Sequence, residues 1–336
     1  MRAWYIDNAK AIGIILVVVG HHPGLPRIIN EFIFSFHMPL FFFLSGYLLK
    51  ESHLRLNFAP YLRSLGSRLL LPYLFFSAVS YAYWLLTFRI GYKAERYDHA
   101  NPFEPLWGVL YGINTALDMN VVLWFFTCMF MVRLIYFSLR RLVDGQAAFA
   151  IAFILGIGVG FMQNMPDFRM PWNADLAIVA CVFYAIGHQA RYFDISAYFK
   201  KYFKRSVMFS FLTMACLAGL VQINGRVDMA PMNFGKQPLL FFAGAFMGIY
   251  VVLFLSTIVK ENGVLLMLSK YSIVIFPLHL IFFSIFNGFS TLILHYSYDY
   301  NRTFSAVLLQ SSLAIGLCLP ISFLMKRFMP KIIPIS

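Results

Sequence analysis

Ten apolar blocks of membrane-spanning or near-spanning length follow one another along the chain, joined by short polar stretches. They cover about 9–24, 32–49, 69–88, 120–139, 147–164, 174–190, 206–223, 238–259, 271–294 and 304–325. This pattern predicts an all-α, polytopic membrane protein with about ten transmembrane helices. The first two blocks fall short of about twenty residues and are interrupted by His21, His22, His37 and Ser45. Such interruptions predict helices packed inside the bundle around a cavity, since polar groups need partners away from lipid. The first block opens DNAKAIGIILVVVGHH, with Asp7 and Lys10 one helical turn apart at its mouth and two histidines at its far end. From Lys10 to His21 a helix rises about 16 Å, half of a hydrocarbon core about 30 Å thick. A titratable ring at that depth is costly and marks a candidate functional site.

Composition agrees with a bilayer. The 336 residues are 60% hydrophobic and only 12% charged, with mean hydropathy +0.72, whereas soluble domains carry about 25% charged residues. Aromatic residues make up 18%, which suits lipid-facing helices with interfacial belts. Cys128, Cys181, Cys216 and Cys318 lie in apolar blocks without metal-ligand spacing, so they read as small hydrophobes and no metal is expected. No cleavable signal is evident. Nor is any repeat or soluble domain, so 1–336 reads as a single membrane domain with no appended soluble domain.

The net charge of +13 does not point to nucleic acid, because its distribution is that of a positive-inside bias. Joints on the side of the N-terminus hold 18 of the 27 Lys and Arg residues and the opposite joints 8, with Arg133 inside a block. Both termini are expected in the cytoplasm. The joint 50–68 is basic and ends at Arg68 before LLLPY; it suits either the phosphates of a cytosolic cofactor or an interfacial stretch on lipid headgroups. On the opposite face, the long joint 89–119 mixes Tyr92, Tyr97, His99, Trp107, Tyr111 and Asn114 with Asp98, Glu104 and Asp118. That mixture of aromatic and hydrogen-bonding side chains suits a sugar.

Position sorts the eight histidines. His53, His99, His188 and His295 read as solvated or interfacial rings, leaving His21, His22, His37 and His279 within or at the ends of apolar blocks. His21 is the strongest candidate proton acceptor, with a structural ring as the plain alternative. His37 and His279 lie beside Pro39 and Pro277, where an architectural role is as well supported as a chemical one. Arg133 calls for an anionic or carbonyl partner, and Trp124 in LWFF suits an interfacial anchor. No Walker loop, dinucleotide fingerprint, GxSxG elbow or HExxH is present, which argues against ATP hydrolysis and zinc chemistry.

Together DNAKAIGIILVVVGH, FHMPLFFFLSGYL, RLLLPY, LWFF and LSKYSIVIFPLH resemble the acyltransferase-3 family of integral membrane O-acyltransferases, especially its fucose O-acetylase-like branch. The resemblance runs from residue 7 to about residue 280. In that family a basic residue and a histidine eleven positions on mark the first helix, matched here by Lys10 and His21. Many members carry arginine in place of Lys10, so this chain keeps the charge without the bidentate fork. A basic pair ahead of the third helix is matched by Arg68 and, approximately, by Arg63. The resemblance implies a bacterial inner-membrane enzyme moving an acyl group, most often acetyl, from cytosolic acyl-CoA to a hydroxyl of a cell-surface or lipid-linked glycan. The expected catalytic set is His21, Lys10 and Asp7. Lys10, Arg63, Arg68 and Tyr73 are expected around acetyl-CoA, and His22, His37, Ser45, Trp124 and His279 around the acceptor. A homo-oligomer is compatible with the sequence. A transporter or flippase for a glycolipid or small anion is the alternative, since ten polar-interrupted helices also suit alternating access.

Overall fold

The structure, a computed structural model, describes residues 4–90, 101–163, 169–293 and 303–332. Arg2, Tyr92, Lys93, Arg96, Tyr97, Asp98, His99, His295 and Arg302 lie outside the described residues. In chain order the helices are α1 (Trp4–Gly20), α2 (Arg27–Phe34), α3 (His37–Tyr47), α4 (Glu51–Leu54), α5 (Phe58–Leu65) and α6 (Leu71–Thr87). A short α7 (Glu104–Tyr111) leads to α8 (Trp124–Leu142), α9 (Gly145–Gly160), α10 (Ala174–Ala190) and α11 (Ile195–Lys201). The chain continues through α12 (Phe203–Asn224), α13 (Pro238–Ile258), α14 (Gly263–Gly288) and α15 (Phe304–Phe328). Beyond helix, the described residues hold one isolated bridge, Asp228 with Asn233.

Each predicted block is helical over most of its described residues. Seven helical stretches among the described residues are long and apolar enough to cross a membrane, or eight if the sharply bent pair Pro171–Ala190 and Ile195–Lys201 is one span. The number differs from ten because α1 has 17 residues and α9 has 16, short of the roughly twenty that a full crossing takes. α1 packs within the bundle, whereas α9 buries only one stripe, Ala148, Ala152, Gly156 and Gly160; α10, flanked by α3, α8 and α9, buries residues on every side from Leu176 to Ala185. An all-round apolar helix has to be enclosed in this way. Peripheral α12 instead exposes Met208, Phe209, Phe211 and Leu212, a surface suited to lipid.

The second block, read as interrupted at His37 and Ser45, breaks one residue before His37, at Phe36 (φ −143°, ψ −15°), between α2 and α3, and α3 runs unbroken through Ser45. Pro39 stands in the first turn of α3, where its missing N–H removes no helical bond. The Phe36 ring fits because position 248 has no side chain, a Cβ there lying 2.1 Å from its Cγ. Gly46 faces α10. A Cβ on Gly46 would lie 2.0 Å from the Tyr184 carbonyl oxygen, and one on Gly187 would lie 2.0 Å from that of Phe43. The two helices therefore meet backbone to backbone, as small residues permit in membranes.

The joint 89–119 is also more than a surface loop. Tyr81 donates a hydrogen bond to the Pro102 carbonyl (2.8 Å) and Tyr73 to that of Val109 (2.6 Å). Residues 102–109 thus run antiparallel to 73–81, and α7 descends alongside α6 by about 10 Å. The chain turns back at Gly112 (φ 72°), whose carbonyl accepts from Thr127 and Asn173. Gly108 lets the returning limb close on α7, since a Cβ there would lie 1.8 Å from the Ala116 oxygen.

Candidate active site

Three histidines from three helices meet at one end of the bundle core. α1 ends when Gly20 presents its carbonyl to the Asn30 amide (2.7 Å), a side-chain partner for an otherwise orphaned group. His21 follows as an extension of the last turn, its N–H on the Val17 carbonyl. α3 begins at His37, directly after the break at Phe36, and packs antiparallel to α1. Tyr5 and Tyr47 share a 2.6 Å hydrogen bond at the opposite end of that pair. α14 packs parallel to α1: Ser269 donates to Asp7 (2.8 Å) at one end, and His279 reaches His21 at the other. The His21 ring centre lies 5.9 Å from that of His37 and 5.3 Å from that of His279. Phe34 and Phe283 pack against the cluster.

Each ring holds Nδ1 against the carbonyl four residues back: His21 to Val17 at 2.8 Å, His37 to Ile33 at 2.9 Å, His279 to Ile275 at 3.3 Å. A carbonyl only accepts, so each Nδ1 carries the proton and each neutral ring keeps its lone pair on Nε2. The Nε2 atoms of His37 and His279 are buried without a hydrogen bond. His21 is half-buried, whereas the other two are buried, so it is the most accessible of the three. His22 differs: Gly24 donates to its Nδ1 (3.0 Å), so Nε2–H donates to Gln310 (3.0 Å). Both of its nitrogens are engaged within the chain.

The remaining sequence candidates lie elsewhere. Asp7 and Lys10 sit toward the other end of α1, with Asp7 buried on Ser269 and Lys10 half-buried. Ser45 is eight residues beyond His37 on α3, about 12 Å along the helix. Trp124 is buried at the start of α8, and it is the adjacent Phe125 that packs on Phe41, Phe42 and Phe276. Tyr73 lies under the α7 hairpin on Val109, and Arg63 is exposed on α5.

Arg68 belongs to a second cluster that sequence reasoning only half anticipated. It lines a small cavity with His53, Tyr61, Ser64 and Arg133. His53, read as a solvated ring, is half-buried there. Burial, with Arg68, Arg133 and Lys50 nearby, pushes its pKa down. Arg133 Nε is buried without a hydrogen bond, and no carboxylate lines the cavity. Cations gathered without an anion form a site for one. Nine residues, about 13 Å of helix, separate Arg133 from Trp124 at the far end of α8.

His188 is not the interfacial ring that its position suggested. It is fully buried, 2.9 Å from the Tyr136 hydroxyl and 3.1 Å from Glu51, which also accepts from Tyr192 (2.8 Å) and pairs with Arg140 (3.4 Å). Burial raises the Glu51 pKa, but Tyr192, Arg140, His188 and Arg191 outweigh it and hold the carboxyl below its usual value. A depressed carboxylate stabilises above its unfolded pKa and loses that contribution as pH falls through the folded one. Thermal unfolding from pH 7 down to about 2.5 should therefore show the wild type keeping its advantage over Glu51→Gln to about pH 4.5 and losing it below. An advantage unchanged down to the lower limit would show that the Glu51 contacts with Tyr192, Arg140 and His188 do not hold its carboxylate.

Among the described residues no group of His, Cys, Asp and Glu could hold a metal ion. A family model described as an acyltransferase domain matches residues 3–327. No curated protein and no solved structure matches the chain.

Proposed function

The chain belongs to the acyltransferase-3 family and is a multi-pass membrane acyltransferase; from that premise we propose that it carries an acyl group, acetyl by the fucose O-acetylase-like resemblance, from cytosolic acyl-CoA to a hydroxyl of a glycan. In this reading it crosses the inner membrane about ten times, with both termini in the cytoplasm. The observation that carries the proposal is the histidine cluster, three rings whose Nδ1 protons are fixed on backbone carbonyls so that Nε2 is the basic atom of each.

His21 Nε2 takes the proton of the acceptor hydroxyl as its oxygen attacks the thioester carbonyl. The carbon–sulfur bond breaks, and the departing thiolate receives the proton back from His21, leaving an ester and free thiol. His37 and His279 set the polarity around the hydroxyl, Phe34 and Phe283 keep water out, and His22 fixes the turn after α1. On the cytoplasmic side the donor's phosphates are met by Lys10, Arg63, Arg68 and Arg133, of which Arg68 and Arg133 come together with His53 at one small cavity.

Each charge-assisted contact to a phosphate contributes roughly 1.5–3 kcal/mol. Arg68→Ala and Arg133→Ala should therefore each raise KM for acyl-CoA about tenfold or more, with a smaller effect on kcat. Steady-state kinetics in detergent would check this, and an unchanged KM in both variants would remove the donor from this pocket. Incubation with labelled acyl-CoA and no acceptor separates direct transfer from a covalent route. The direct route predicts no stable label on the protein, and label on His21 would show an acyl-histidine intermediate.

A further inference from the structure

The cavity shared by His53, Tyr61, Ser64, Arg68 and Arg133 has a volume of about 10 Å³, room for about one water-sized atom. Packing fixes its walls. Leu54 buries the end of α4 in the core, and Tyr61 donates to the Arg133 carbonyl (3.0 Å) while its ring stacks on Phe137 at 3.9 Å. Arg68 stands on a widened helical turn, Gly66–Leu70, of a kind frequent at functional sites. Arg68 is exposed at the mouth, whereas the Arg133 Nε–H is buried without a hydrogen bond. A buried donor left in that state calls for an acceptor.

Charge reaches His53 from each element around it. Arg68 stands on the turn into α6, Arg133 on α8 and Lys50 on its own joint, with the Tyr61 hydroxyl on α5. The neighbouring carboxylate, Glu51, is engaged by Arg140 and His188 and accepts from Tyr192. Burial, then Arg68, Arg133 and Lys50, hold His53 below its ordinary pKa, so the ring is neutral at pH 7.

We propose that His53 is a further ligand to the donor's phosphates and that it becomes a cation as one of them binds. The proposal rests on the acyl-CoA reading for the identity of the anion. The cavity admits a single phosphate oxygen, with the phosphorus atom at its mouth. Arg133, Arg68 and the Ser64 hydroxyl donate to that oxygen. Its negative charge beside the ring favours the imidazolium and offsets the guanidiniums that kept the ring neutral. Each donor that binds therefore takes up a proton from solvent, which comes to rest on His53. The ring has a higher pKa in the bound state than in the free one, so affinity is greatest at low pH and falls as pH rises through the bound-state value. A lipid headgroup carries the same phosphate chemistry and is the competing source.

The test titrates coenzyme A into the full-length protein in maltoside micelles by calorimetry at about pH 7.5, in buffers of different ionisation enthalpy. A phosphate monoester, with its second pKa about 6, is already ionised there and takes up no proton itself. Wild type should take up about half a proton or more per coenzyme A bound, and His53→Gln none. Gln keeps a hydrogen-bonding side chain without a titrating ring. Between about pH 6 and 8 the affinity of wild type should fall about fivefold further than that of the variant. Coenzyme A that binds wild type without proton uptake would overturn the assignment without recourse to any variant, and uptake that persists in His53→Gln would overturn it as well. Phosphatidylglycerol added to the same micelles separates the two sources. Proton uptake with the lipid that coenzyme A cannot displace would give the cavity to a headgroup and reject the donor ligand. Acyl transfer measured on the same samples reads the two proposals apart. Transfer without proton uptake rejects His53 alone, uptake without transfer keeps His53 and rejects the transferase reading, and no binding of coenzyme A rejects both.

Discussion

His21→Ala should lower acyl transfer by about three orders of magnitude or more while leaving an inserted, monodisperse protein. A positioned base contributes about 10²–10⁴ in rate, and here it is also the most accessible of the three clustered rings. The structural cost is small, being the loss of one bond to the Val17 carbonyl and ring contacts with Phe34, His37 and His279. His21→Asn sharpens the test, because its amide can still donate to Val17 but offers no basic nitrogen in place of Nε2. A catalytic His21 predicts that Asn is as inactive as Ala. A structural His21 predicts rescue by Asn, and transfer at the wild-type rate in that variant would reject the assigned role.

The largest expected effect on folding comes from the α3–α10 contact. Gly46→Ala or Gly187→Ala would put a methyl carbon 2.0 Å from a carbonyl oxygen of the facing helix, far inside the normal contact of about 3.5 Å. Backbone cannot rotate away as a side chain can, so the helices must separate along their whole contact. α3 carries His37 at its start, and α10 is buried on every side from Leu176 to Ala185, so separation disturbs both core and site. A loss above about 4 kcal/mol is expected, comparable to the whole stability of a typical domain. Size-exclusion chromatography of solubilised protein should show each variant aggregated or scarcely expressed. Either one eluting as wild type with unchanged melting would show that the contact can open cheaply. Gly263→Ala, with open space around its Cβ, is the control and should behave as wild type.

The apolar blocks were legible because a chain in lipid has to satisfy its backbone within each segment, which ties hydropathy directly to helix. The Phe36 break was not, because it depends on the space at Gly248, more than two hundred residues away. Counting crossings was harder than finding helices, since α1 and α9, at 17 and 16 residues, fall short of a full crossing. His21 stood out by depth and was set apart from His22 by the family spacing from Lys10, while the Gly24 and Gln310 contacts engage both nitrogens of His22 within the chain. That His37 and His279 lie near His21 was implied by the resemblance alone, because their separation in sequence carries no period, and their direct ring contacts needed the fold. The half-burial of His53 beside Arg133 was hidden for the same reason, since a loop histidine and an intramembrane arginine come together only once α5 folds against α8. The α7 hairpin hid inside a polar joint, where EPLWGVLY is apolar enough to descend along α6 but too short to count as a span.

Proteoliposomes test the account most directly, with labelled acyl-CoA supplied on the face that bears Lys50 and Arg68 and a neutral glycan acceptor trapped inside. The account predicts ester-linked label on the trapped acceptor for the wild type and none above background for His21→Asn. Label reaching the acceptor equally in both, or acceptor crossing the membrane without consumption of acyl-CoA, would contradict it.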